Sequence, residues 1–287
     1  MRIGIAPTVD VVFKCIFADR RHENVTRDFL NSLLPFTGVN QVQTLHILTP
    51  FRLSEFQGDK EIVVDVHAQD FDGREFQIEM QVRRDLALAT RMLDNWARLY
   101  SAQIKKGEDY RRHRPVISLW ILSHDLWSDE DWLHVFGAQD RRRGVSLSGD
   151  FLVVTIELAK WELLSASADR STLALDQWLW FLAHGEDVDP EGDAFADLRG
   201  AIREAVEIMR AFTKSDKARY TYDRRLEAER VHNAMIADAR AEGVEEGRAE
   251  GVEKGAREIA KALKEFGVDI DVIAKATKLN RSEVESL

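Results

Sequence analysis

Asp65 and Glu79 are the side chains whose type and spacing point most directly to chemistry. They lie in the stretch 60–83, KEIVVDVHAQDFDGREFQIEMQVR, where two runs of alternating apolar and polar residues are joined by Asp-Gly. Alternation on either side of such a dipeptide is a hairpin signal. With Phe71, Asp72 and Gly73 as a three-residue loop and glycine in the left-handed position, Asp70 pairs with Arg74 and the register sets Asp65 opposite Glu79. Side chains alternate between the faces of a strand, so Asp65, His67, Gln77, Glu79 and Gln81 share one face. Val64, Val66, Phe76, Ile78, Met80 and Val82 share the other. Like charges directly opposite on paired strands repel unless something neutralises them. A divalent cation would do so, because carboxylate oxygens are the hard ligands Mg²⁺ takes, one or two at a time, with water and phosphate oxygens completing its shell. Two alternatives stay open: a solvated polar face that tolerates the acidic pair, or a two-residue turn that shifts the register and separates the carboxylates.

The segment that follows is basic. Residues 83–114 carry nine Lys and Arg against four Asp and Glu, although the whole chain has a net charge of −10. Local balance is what a phosphate backbone feels. Arg83 and Arg84 flank the hairpin, and Lys105 and Lys106 close the segment predicted as a helix at 85–106. Arg91 and Arg98 are two helical turns apart, so they share a face that could meet successive phosphates. An ordinary ion-paired helix face fits them equally well. Arg141, Arg142 and Arg143 offer a second cluster, for which a solvated loop is the simpler reading.

Composition narrows the class. At 287 residues and 45% hydrophobic content the chain can bury one sizeable core plus an appendage. No apolar run reaches the length of a membrane span, and MRIGIAPTVD lacks the features of a signal peptide, so a cytoplasmic protein is expected. The single cysteine, Cys15, excludes an internal disulfide and falls in an apolar-periodic segment, which predicts a core position. Of the eight histidines only His67 lies on the polar hairpin face, and the absence of HExxH leaves a zinc hydrolase unsupported.

The elements that must position these residues follow from periodicity. Asp10 is expected to cap a helix that buries Val12, Phe13, Ile16 and Phe17, and a second helix at 23–34 buries Phe29, Leu30, Leu33 and Leu34 before Pro35 stops it. Residues 42–57 read as a strand with a bend at Pro50, and Lys60 as a solvated residue. Leu86, Leu93, Trp96, Ala97 and Tyr100 are the expected inward side of the helix at 85–106, which Gly107 ends. PVISLWILS at 115–123 reads as a strand buried on both faces, with 151–160 beside it and a surface excursion between them. A helix at 172–184 precedes an acidic boundary at 185–193, and helical segments follow at 194–213 and 217–242. Glycines at 243, 247, 251 and 255 recur every fourth residue, fitting either a close-packed partner helix or a flexible tether. The tail at 256–287 reads as a helix and two short helices in a helix-turn-helix-like unit suited to DNA contact or dimerisation.

These stretches carry a resemblance. DVVFKCIF at 10–17, FLNSLL at 29–34, DV at 65–66, IEMQ at 78–81, RLYSAQIKKGEDY at 98–110 with PVISLWIL after it, and IELAKW at 156–161 are similar, in order and spacing, to the Rpn family of recombination-promoting nucleases and transposases, a branch of the PD-(D/E)XK superfamily. The resemblance spans roughly residues 10–165 and the far tail. It implies an α/β protein with a restriction-endonuclease-like α/β/α core and mixed central sheet at 1–185, followed by a helical C-terminal extension at 194–287. It also implies that Asp65, Glu79 and the Met80 carbonyl hold Mg²⁺, with Mn²⁺ as a substitute, that Asp10 reaches the metal as first-helix acids do in some related nucleases, and that Gln81 stands where lysine is common. Val64 replaces the motif's proline, and Gln81 carries no charge, so more of the electrostatic work falls to the metal. The expected activity is DNA cleavage with little sequence choice. An inactive nuclease fold that binds DNA or assembles through its tail, and transposase-like strand transfer, are the alternatives.

Overall fold

The computed structural model describes residues 2–48, 52–53, 62–165 and 173–287. Pro50 and Lys60 lie outside them. The chain forms two compact units, 1–225 and 226–287.

In the first unit a six-stranded sheet has the order β1 (Leu45–Ile47), β4 (Val66–Asp70), β5 (Glu75–Gln81), β6 (Val116–Leu122), β8 (Ser146–Glu157) and β7 (Leu133–Gln139). β4 runs antiparallel to β1 and β5, β5 and β8 run parallel to β6, and β7 returns antiparallel along β8, which makes the sheet mixed. Arg52–Leu53 (β2) and Ile62–Val63 (β3) pair separately; among the described residues the strand expected at 42–57 contributes Leu45–Ile47 to the main sheet. β6 is buried along its whole length, as its continuous apolar run requires. The expected surface excursion instead supplies β7, an edge strand of modest burial, and Arg141 to Arg143 sit exposed in the turn between β7 and β8.

Helices flank the sheet. α1 (Asp10–Phe17), α2 (Glu23–Leu33), α5 (Ala174–His184) and α7 (Gly200–Thr213) pack together around Phe13, Phe17, Phe29 and Trp178, whose rings meet at centroid distances of 4.7 to 5.7 Å. Asp28 ties this layer together by accepting from Trp178 Nε1 and pairing with Arg199. Where the acidic run at 185–193 was expected to separate core from extension, Ile3 and Gly4 donate to Val188 and Glu186 and the first unit continues to Arg225. α4 (Leu158–Ser165) follows β8, and α6 (Asp193–Ala196) leads into α7.

On the other side α3 (Leu88–Ala102) covers the face that carries Trp120, Leu122 and Val153. Its buried residues are Leu88, Met92, Asn95 and Leu99, while Leu86 and Leu93 are exposed. The inward stripe therefore differs from the expected one. Two apolar stripes compete on this helix, and the one aimed at Trp120 wins although it contains a polar Asn95. Trp96 and Tyr100 lie on its flank, Trp96 stacked on Tyr100 and Tyr100 on His113. Asp10 is the first residue of α1, not its cap; Val9 holds that position without a side-chain bond. Cys15 is half-buried rather than core, and burial raises its thiol above its ordinary value.

The second unit contains most of α8 (Asp216–Glu265), with α9 (Ile270–Thr277) and α10 (Arg281–Ser286). Ala260, Ile273 and Val284 form its small core. The four spaced glycines are helical, and a Cβ at any of them would meet nothing within 4 Å. No close backbone contact among the described residues accounts for them.

Candidate active site

The β4–β5 hairpin has the expected register. Val66 pairs with Ile78 and His67 with Gln77, Asp70 N donates to the Arg74 carbonyl, and Gly73 closes the loop at φ +80°. One step beyond β4, Asp65 and Glu79 meet across the strands. The Asp65 backbone N–H donates to Glu79 Oε1 at 3.3 Å, and the Met80 N–H donates to Asp65 Oδ2 at 3.1 Å. Each carboxylate is thus held by the other strand's backbone.

The polar face is not solvated. His67, Gln77 and Glu79 are all buried. The β5–β6 register sets Gln77 beside Ser118 and Glu79 beside Trp120, and this arrangement satisfies the buried groups in a chain. Trp120 Nε1 donates to Ser118 Oγ at 2.8 Å, Ser118 Oγ donates to Gln77 Oε1 at 2.9 Å, and Gln77 Nε2 donates to Glu79 Oε1 at 3.0 Å. A network with every partner present fixes the orientation of the group at its end. Burial, and next the charge of Asp65, push the Glu79 carboxyl up to about 8. Gln77 was placed on the site face, but its partner Ser118 escaped the sequence reading because the pairing depends on a parallel strand, 41 residues further along the chain. The polar residue in the middle of the apolar run PVISLWILS was the available signal.

Lys14 was missed altogether. From α1 its ammonium reaches Asp10 Oδ1 at 2.5 Å and Asp65 Oδ1 at 3.0 Å. Burial opposes its charge, but the two carboxylates outweigh that and raise it above the ordinary lysine value. Arg225, at the end of the first unit, lies 3.5 Å from Asp10 Oδ2. Asp10 is therefore brought to Asp65 through a shared cation.

Gln81 points toward α3, where Arg91 donates to its Oε1 at 2.5 Å, while its own Nε2 donates to the Arg83 carbonyl at 2.5 Å. The same guanidinium pairs with Asp85 and lies 5.3 Å over the Trp120 ring. A positive group thus stands directly beside the uncharged Gln81. His67 goes elsewhere: its Nε2 meets Glu75 Oε2 at 2.8 Å, away from the Asp65–Glu79 pair. Arg98 pairs with Asp94 on α3, and Arg84, Lys105 and Lys106 are exposed. Among the described residues no group of three or more His, Cys, Asp or Glu side chains is arranged to hold a metal. No helix among them is long and apolar enough to cross a membrane.

No curated protein and no solved structure matches the chain. A family model does, along residues 7–239, and its span takes in α1, the hairpin with its two carboxylates, and the helix that carries Arg91. This chain belongs to the PD-(D/E)XK nuclease family of transposases.

Proposed function

We propose that this protein is a divalent-metal-dependent DNA endonuclease that hydrolyses phosphodiester bonds with little sequence choice. The observation that carries the reading is the reciprocal hold of Asp65 and Glu79, two carboxylates fixed side by side at the mouth of a buried polar network. Random surface acids are not held this way.

The donors suit Mg²⁺, with Mn²⁺ as a substitute. They are hard oxygens, and an ammonium already lies against Asp65 and Asp10, as a cation would. Asp65, Glu79 and the Met80 carbonyl would hold the ion, while Asp10 is linked to Asp65 only through the Lys14 ammonium they share. Such a set leaves positions for water and phosphate oxygens. When bound, the ion supplies Lewis-acid polarisation of the phosphoryl oxygen and a hydroxide nucleophile at neutral pH. The chain's own residues do the rest. The Gln77–Ser118–Trp120 chain keeps the Glu79 carboxylate aimed, Gln81 orients the attacking water, and Arg91 brings the positive charge that Gln81 lacks. Arg83, Arg84, Arg98, Lys105 and Lys106 hold the DNA backbone, which gives affinity without base readout.

Supercoiled plasmid incubated with the protein in Mg²⁺, Mn²⁺ or EDTA, beside Glu79→Ala, tests this. Metal-dependent nicking that the variant loses is the expected result. Equal activity in both proteins would place the cleavage elsewhere. DNA binding without cleavage would favour an inactive fold that binds or assembles. The family's transposase description supports strand transfer as a second reading, which would yield joined DNA products instead of breaks.

A further inference from the structure

We infer that Lys14 is the site's own cation: its ammonium holds the position between Asp10 and Asp65 while no divalent ion is bound, yields it when one binds, and then serves a phosphate oxygen of the substrate. This inference rests on the nuclease reading and assigns a role to a residue that reading does not need.

The geometry separates Lys14 from an ordinary surface ion pair. It joins a carboxylate on its own helix, four residues back, to one on the hairpin, at 2.5 and 3.0 Å. It touches Oδ1 of Asp65, while Oδ2 is committed to the Met80 N–H. The oxygen it occupies is the one that accepts no backbone N–H from β5, so Lys14 competes directly with a metal for it. The residue type also fits. An ammonium is a compact point charge on a flexible stem, able to stand in for an ion and swing away, whereas a guanidinium would lock onto a carboxylate in two-point fashion. The Lys14 side chain is 36% exposed, which leaves it a path out. Ion pairs of that exposure are weak enough to exchange.

Arg91 brings one positive charge beside Gln81, where Asp85 also holds it, and β5 itself adds none. Gln81 is neutral, and both ends of its amide are engaged by Arg91 and the Arg83 carbonyl. The strand therefore has no charge of its own to place on a phosphate. Lys14 comes from α1, and its ammonium already contacts Asp65 at 3.0 Å.

The test is Mn²⁺ affinity of the full chain, measured by titration calorimetry on wild type, Lys14→Met and Lys14→Arg. The expected result is a gain of about five- to tenfold in Lys14→Met, the loss of two competing ion pairs, and no gain in Lys14→Arg. Acetylation of the Lys14 amine in the wild-type protein, followed by mass spectrometry, should accelerate when Mn²⁺ is added. At saturating Mn²⁺, Lys14→Met should nevertheless cleave DNA more slowly. A purely structural ion pair would lower thermal stability without raising metal affinity. Unchanged or weaker Mn²⁺ binding in Lys14→Met, or an acetylation rate indifferent to Mn²⁺, would overturn the role of Lys14 and leave the metal-dependent reading standing. Absence of Mn²⁺ binding in all three proteins would overturn both.

Discussion

At Glu79 the cost of building the site becomes measurable. An unperturbed glutamate titrates near 4.5, and burial beside Asp65 carries this one to about 8. Between those values the folded protein keeps a proton that the unfolded chain releases, so stability is full below the lower value and is lost as pH rises through the upper one. Thermal unfolding of the metal-free protein should therefore show a falling midpoint from about pH 5 to about pH 8. Glu79→Gln should flatten that slope and unfold at a higher temperature than wild type at the alkaline end. A slope that survives the substitution would place the responsible proton elsewhere. Added Mg²⁺ should raise the wild-type midpoint most at alkaline pH, where the carboxylate is free to accept it, and should do little for Glu79→Gln.

Among the elements, the hairpin and α3 make separate demands. Gly73 sits at φ +80°, and a Cβ there would also press on Arg114 Cγ at 3.2 Å. Gly73→Ala should cost about 1–2 kcal/mol in urea unfolding, from left-handed strain alone. Because that turn sets the register of Asp65 against Glu79, cleavage should suffer with it. On α3 the two apolar stripes can be told apart by truncation. Met92→Ala, in the buried cluster with Trp120, should cost about 2–5 kcal/mol, whereas Leu93→Ala, 53% exposed, should fall within about 0.5 kcal/mol of wild type. Equal effects would mean that the helix is rotated from the position described. Leu93 looked like a core residue because apolar periodicity marks every stripe a helix carries, and only the sheet beneath selects one.

At the scale of the molecule, the two units should respond separately to damage. Val284 is fully buried in the tail's small core with Ala260 and Ile273, and Asn280 caps its last helix with a reciprocal capping box. Val284→Asp should melt that core by burying an unpaired charge, seen as a loss of helical circular dichroism at lower temperature than the main transition. The sheet's own transition, and the Mn²⁺ affinity of the Asp65–Glu79 site, should stay where they were. A shift in both would show that the tail supports the first unit.

The hairpin register, the buried β6 strand and the family resemblance could be read from the sequence, because each rests on neighbours in the chain. An alternation of period two and an Asp-Gly turn leave two registers, of which the three-residue loop with Gly73 left-handed is the one that sets Asp65 opposite Glu79, and a continuous apolar run leaves one environment for residues 116–122. The rest was decided by packing. Whether the polar hairpin face met water or protein depended on β6 pairing beside β5 and on α3 covering Trp120 on that strand; burial there raised Glu79, and β6 supplied Ser118 as a partner. Asp10 looked like a cap because helix starts favour such residues, yet its carboxylate turns to Lys14, which long-range docking of α1 brings to Asp65. The pairing of carboxylates was local and legible. The ammonium that answers Asp65 comes from α1 and the guanidinium beside Gln81 from α3, and only the tertiary structure brings those helices to the hairpin.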